Sequence, residues 1–181
     1  MRAEGRVTYF GEQGRIRLRA VFLAKRPASF RLETISPMEQ PVSVMTSDGA
    51  RIRLLADGRL REGPATPENI ARLFPLPLSA EEVVDMLLGG LPSFDSETAV
   101  GAAWIDDDGF VHVPLHRGDR QIELVIDADR SIVRSIAIRG AAALDIAFDA
   151  FTGPSDPAPN FPLGIVARGS GAEEHEVRIR L

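Results

Sequence analysis

The stretch Arg15-Ile16-Arg17-Leu18-Arg19-Ala20-Val21-Phe22 decides the fold class. Ile16, Leu18, Ala20 and Phe22 alternate with three arginines. A period of two places every second side chain on one side of a strand, so this is a strand with one apolar and one charged face. Working outward, the same alternation recurs. Phe30 and Leu32 alternate with Arg31 and Glu33, Val42 and Val44 form a third set, and Ile52 and Leu54 alternate with Arg51 and Arg53. Beyond residue 97 come Val100/Ala102/Trp104, Val111/Val113/Leu115 with His112 opposite, Ile122/Leu124/Ile126, Ile132/Ile136/Ile138, Leu144/Ile146/Phe148 and Val177/Ile179/Leu181. These runs predict about ten strands. Short Gly- and Asp-rich turns such as Asp48-Gly49, Asp57-Gly58, Asp108-Gly109 and Gly118-Asp119 separate them. Turns this short join antiparallel neighbours, because parallel strands need long crossovers.

Between residues 64 and 92 the period changes. Thr66-Pro67-Glu68 reads as an N-cap, a proline at the first helical position and an acid in the first turn. Ile70, Leu73 and Phe74 follow at helical spacing, and Pro75 closes the segment. Ser79-Ala80-Glu81-Glu82 is a capping box opening a second helix, with Val83, Val84, Met86, Leu87 and Leu88 as a broad apolar face and Gly89-Gly90 as a left-handed cap. Both helices carry more apolar surface than solvent-facing helices need. The expected fold is therefore α+β: one single domain over residues 1–181, a strongly curved antiparallel sheet with a short helical lid on its apolar face. Residues 151–163 read as a long proline-rich loop.

The chain has 181 residues and a normal globular mixture, 44% hydrophobic and 26% charged, so it folds rather than staying disordered. A net charge of −5 argues against a nucleic-acid grip. The lack of cysteine removes disulfides, thiolate metal sites and cysteine nucleophiles. No apolar run reaches the roughly 18 residues of a membrane span. The first residues enter a strand pattern with no hydrophobic signal segment, which fits a cytoplasmic protein or a mature domain whose leader is removed.

No residue set points to catalysis. His112 and His175 fall on polar strand faces, His116 follows nearby, and there is no G-x-S-x-G elbow, H-E-x-x-H or phosphate-binding glycine loop. Asp106-Asp107-Asp108-Gly109 has contiguous acids without the distal glutamate of a calcium loop, and reads as a hairpin turn. The expectation is a protein that is not an enzyme, with no metal and no cofactor. Arg15, Arg17, Arg19, Arg31, Arg51 and Arg53 are expected on one outer sheet face, either solvated beside cross-strand glutamates or facing an anionic membrane. The apolar surface between sheet and lid is either plain core or a cavity for acyl chains.

From Phe30-Arg31-Leu32-Glu33-Thr34-Ile35-Ser36-Pro37-Met38 onward the chain resembles the bacterial LolA/LolB lipoprotein-sorting family, its LolB branch more closely. The motifs are this strand running into a Pro-hydrophobic turn, the Asp48-Gly49 hairpin followed by a lid helix, and Pro75-Leu76-Pro77-Leu78 leading to Leu87-Leu88-Gly89-Gly90-Leu91-Pro92. The resemblance implies an open antiparallel β half-barrel with a hydrophobic cavity for lipoprotein acyl chains, on the periplasmic side of the outer membrane. The implied partners are acylated lipoproteins or lipids, an outer-membrane surface and a periplasmic carrier protein, with no nucleic acid. Cavity candidates are Leu18, Phe22, Phe30, Leu32, Val44, Leu54, Leu73, Phe74, Leu87, Leu88, Trp104 and Leu124. Pro37 and Met38 match the family's membrane-inserting loop. The alternative is an envelope interaction module of the same fold with a filled core.

Overall fold

The computed structural model describes all residues except 12–13, 37, 73–75, 77, 91–95, 154, 157–159 and 171–173. Six strands come first: β1 (Arg2–Gly11), β2 (Gly14–Lys25), β3 (Ser29–Ile35), β4 (Pro41–Asp48), β5 (Arg51–Ala56) and β6 (Arg59–Pro64). Helices α1 (Pro67–Ala71) and α2 (Ala80–Leu87) follow. Then come β7 (Thr98–Val100), β8 (Trp104–Ile105), β9 (Val111–Arg117), β10 (Arg120–Asp127), β11 (Ile132–Arg139), β12 (Ala143–Phe151), β13 (Pro162–Ser170) and β14 (Glu174–Arg180). All fourteen described strands form one sheet, in the order β6-β5-β4-β3-β2-β1-β14-β13-β12-β11-β10-β9-β7, with β8 also on β9. Every pairing is antiparallel. The sheet does not close, since β6 and β7 sit at its two ends.

Fourteen strands replace the expected ten or so. Three of the extra strands lack an apolar stripe. In β1 the core side carries Ala3 and Gly5 before Val7 and Tyr9; β6 is an edge strand, exposed along nearly its whole length; in β13 small residues, Gly164, Ala167 and Gly169, dilute Ile165. The fourth arises because the run at 100–104 is two short pieces, β7 and β8, separated where the Gly101 N–H donates to the Pro114 carbonyl. The proline-rich loop is shorter than read from sequence: Phe151 and Pro162 belong to strands, and Thr152 and Phe161 bond each other across its base.

One sheet face is the core. Leu54, Met45, Leu32 and Phe22 form a cross-strand row through β5, β4, β3 and β2. Phe148, Ile165, Ile179, Val7 and Leu18 cross the middle, and Ile146, Ile136, Leu124 and Val113 cross β12 to β9. Helix α2 lies on this face. Ser79 and Glu82 make both halves of the capping box. At the other end the Gly90 N–H bonds the Asp85 carbonyl and the Gly89 N–H that of Met86, a Schellman closure. Helix α1 starts as expected, with the Thr66 side chain accepting from the Asn69 N–H and Pro67 at the first position. Leu73, Phe74 and Pro75 lie outside the described residues.

Gly89 has φ +61°, and a Cβ there would sit 2.4 Å from the Pro162 ring; Gly58, φ +68°, has nothing within 4 Å. Alanine at Gly58 therefore costs only left-handed backbone strain, about 1 kcal/mol, while alanine at Gly89 adds a collision and costs more. Ser79→Ala should cost about 1 kcal/mol, a fall of about 2–4 °C in melting temperature. Thermal melts that rank Gly58→Ala above Gly89→Ala in stability agree with this; equal losses contradict it.

Candidate functional site

Helix α2 places its apolar side chains against two regions of the sheet at once. On one flank Val83, Met86 and Leu87 meet Phe22, Phe30, Leu32 and Met45, leaving about 10 Å³ of free space. On the other flank Glu82, Asp85 and Met86, with Leu78, meet Ile122, Ile136, Ile138 and Ile146, again leaving about 10 Å³. Such a space holds at most about one water, so both interfaces are packed. The ends of the lid are tied by ion pairs. The Arg26 Nη1 lies 2.8 Å from Oδ1 of Asp85, whose side chain is buried, and the Arg120 Nη1 lies 2.6 Å from Oε1 of Glu82.

Beside the C-terminal end of α2 lies an open groove of about 640 Å³, lined by Met1, Leu23, Ala24, Phe30, Leu88 and Ser47 with Lys25, Arg26, Ser29 and Arg31. Phe30 belongs both to this groove and to the packed space under the lid. The groove thus leads to the interior with one aromatic ring between them.

The structure brings Phe22, Phe30, Leu32 and Leu87 together under the lid and puts Leu88 with Phe30 on the groove. Leu18, Leu54 and Leu124 share the core face but line neither space. Two candidates belong to the opposite face. Val44 pairs with Glu33 and Leu55, because in β4 it is Met45 that joins Leu32 and Leu54; the apolar spacing Val42/Val44 marks the wrong parity. Trp104 is 51% exposed and pairs with His112 on the polar side of β9. Leu73, Phe74 and Pro37 lie outside the described residues. Met45, Val83 and Met86 also line the space under the lid, beyond the candidates that the sequence offers. The 83/86/87 helical spacing carries the signal for the last two, whereas the register that reveals Met45 is tertiary.

Met38 is 85% exposed. Its turn is held by the Ser36 hydroxyl, which accepts the Met38 and Gln40 N–H groups at 3.3 and 3.2 Å. Glu39 has φ +61° and reaches Arg19 at 3.2 Å.

His112 and His175 are held by side-chain hydrogen bonds. His112 Nε2 meets Asp106 Oδ2 at 3.0 Å and its Nδ1 meets Glu123 Oε1 at 2.9 Å, with Trp104 stacked on the ring at 3.7 Å. Asp106 also accepts the Asp108 and Phe110 N–H groups, so the acidic triplet forms the expected hairpin turn. His175 Nδ1 lies 3.0 Å from the Tyr9 hydroxyl. The Asp106 carboxylate, then that of Glu123, holds the His112 imidazolium above its ordinary value of 6.5, and His112 in turn holds Asp106 below the ordinary carboxylate range. A raised pKa stabilises the fold below the unfolded value and ceases to as pH rises through the folded one. The stability advantage of the wild type over His112→Gln should therefore be full just below pH 6.5. It should fade at higher pH as His112 deprotonates, and at low pH as Asp106 takes up its proton. An advantage that grows above neutrality in melts across pH contradicts this.

No family model matches the chain, and no curated protein sequence matches it. Solved structures do. A LolA-superfamily protein from Nitrosomonas europaea superposes with a TM-score of 0.62 over 99% of this chain and 84% of its own, at 9% identity. A domain named for outer membrane lipoprotein sorting, from Vibrio parahaemolyticus, gives a TM-score of 0.63 over 98% of this chain and 82% of its own, at 10% identity. The chain shares the fold of these two structures.

Proposed function

We propose that the protein binds the acyl chains of lipoproteins or lipids between α2 and the sheet, without covalent chemistry, and delivers them to the outer membrane from its periplasmic side. The observation that carries this is the groove of about 640 Å³ that meets the packed interior at Phe30. The fold shared with LolA-superfamily structures supports it. The exposed Met38, on a turn fixed by Ser36, suits a LolB-like insertion into the receiving membrane, and a soluble periplasmic carrier is the fitting donor.

The packed interior sets a condition. An acyl chain enters only if α2 moves. Lifting it strips Val83, Val84, Met86 and Leu87 of their partners, at about 1.5–3 kcal/mol each, and a buried methylene returns about 0.8 kcal/mol. About eight to fifteen methylenes therefore offset the opening, so binding should set in steeply with chain length. The second reading, an interaction module that never opens, is favoured by the same 10 Å³ spaces.

Displacement of an apolar fluorescent probe by a peptide carrying one palmitoyl chain, its octanoyl analogue and its unacylated twin separates the two readings. Palmitoyl chains should displace the probe, octanoyl chains should not, and the bare peptide should have no effect. Leu88→Asp, on the groove and half-buried, should weaken binding at least about tenfold. Arg26→Ala should cost about 1–3 kcal/mol of stability and speed probe entry. A folded wild type and a folded Arg26→Ala variant that both ignore the acylated peptide would leave the interaction module.

A further inference from the structure

We propose that the outer face of β1, β2 and β14 is a docking surface for an anionic lipid bilayer. This goes beyond the acyl-binding reading and does not depend on it. Six exposed arginines, Arg6, Arg15, Arg17, Arg19, Arg178 and Arg180, share this face. Arg6 lies directly opposite Arg19 on one side and Arg180 on the other, and Arg17 and Arg178 flank Thr8. Like charges directly across a strand pair are destabilising, and a chain of net charge −5 has acids to spare. The fold does not require this arrangement.

The pairing pattern sharpens the point. Farther along the same outer face Arg31 is paired with Glu33, while Arg51 and Arg53 share Glu62. Arg19, Arg178 and Arg180 have Glu39, Glu176 and Asp149. Arg6, Arg15 and Arg17 make no carboxylate pair among the described residues; Arg15 lies over the Phe10 ring instead.

A bilayer is favoured over a nucleic acid because an apolar corner adjoins the arginines. Leu55 and Leu60 pair across β5 and β6, 47% and 65% exposed, on the face that also carries Val44 and, two residues on, Val42 at 49%. Met38 stands on the neighbouring turn, joined to the arginine field through the Glu39–Arg19 pair. A membrane surface offers phosphates to the one and hydrocarbon to the other, the two signals that peripheral binding needs. A nucleic acid has no use for exposed leucines, and Phe10, the aromatic ring among these arginines, is covered by Arg15 and Arg178 at 5.6 and 5.0 Å.

Co-flotation of the full chain with phosphatidylcholine vesicles, with and without phosphatidylglycerol, tests this. The wild type should bind only the anionic vesicles, and high salt should release it. The triple variant Arg6→Gln/Arg15→Gln/Arg17→Gln should lose about a hundredfold in partitioning. Arg72→Gln/Arg130→Gln/Arg139→Gln removes the same charge from exposed positions away from β1, β2 and β14 and should stay within about threefold. Circular dichroism checks that both remain folded. Equal losses in the two triples, equal wild-type binding to neutral vesicles, or binding to a labelled DNA duplex without binding to vesicles would overturn the proposal.

Discussion

The structure depends on one geometric constraint: a single eight-residue helix is packed against strands that are far apart in the sheet. Helix α2 touches β3 on one flank and β11 on the other, and β2, β1, β14, β13 and β12 lie between those two in the order. In a flat sheet six strand spacings of about 4.8 Å would separate them by about 29 Å. A helix is only about 10–12 Å across. The sheet must therefore curl around α2, and its inner side chains must fill what remains. Small residues in the centre permit this: Ala20, Ala167 and Gly169 are buried where larger side chains would hold the walls apart.

The same constraint governs function. Packing holds the lid down together with its two ion pairs, whose carboxylates, Asp85 and Glu82, are largely covered, so these are not the fully exposed pairs that contribute little to stability. Each pair ties a carboxylate of α2 to a different half of the sheet, Asp85 to Arg26 after β2 and Glu82 to Arg120 at the start of β10. They fix where the helix rests. An interior held by dispersion and apolar burial is one that hydrocarbon can enter without leaving polar groups unsatisfied; among the described residues no buried side-chain polar atom lacks a partner. A filled interior and a lipid-binding role are compatible when the ligand replaces the lid's own side chains.

Much of this was legible in the sequence, for local reasons. The capping box at Ser79, the proline start at Pro67 and the left-handed Gly89 are short-range signals, and the structure has all three. Alternation identified the strands with a covered face. It missed β6, an edge strand exposed along nearly its whole length, and β13, where small residues blur the period. Val44 and Trp104 show the other limit. Alternation gives the period but not which phase faces inward; that is settled across strands, where Met45 rather than Val44 meets Leu32, and where Trp104 finds His112. The arginine face was visible as a stripe, but its division into paired and unpaired members depends on registers that no single strand contains.

Amide hydrogen exchange along α2, with and without a palmitoylated peptide, tests the central claim most directly. If the lid opens as a unit, the amides of Val83 to Leu88 exchange by a local opening well below the global unfolding free energy, and the acylated peptide changes their rates while β10 to β13 stay protected. Exchange of α2 only through global unfolding, at rates the acylated peptide leaves untouched, would contradict the account and leave a closed, filled fold.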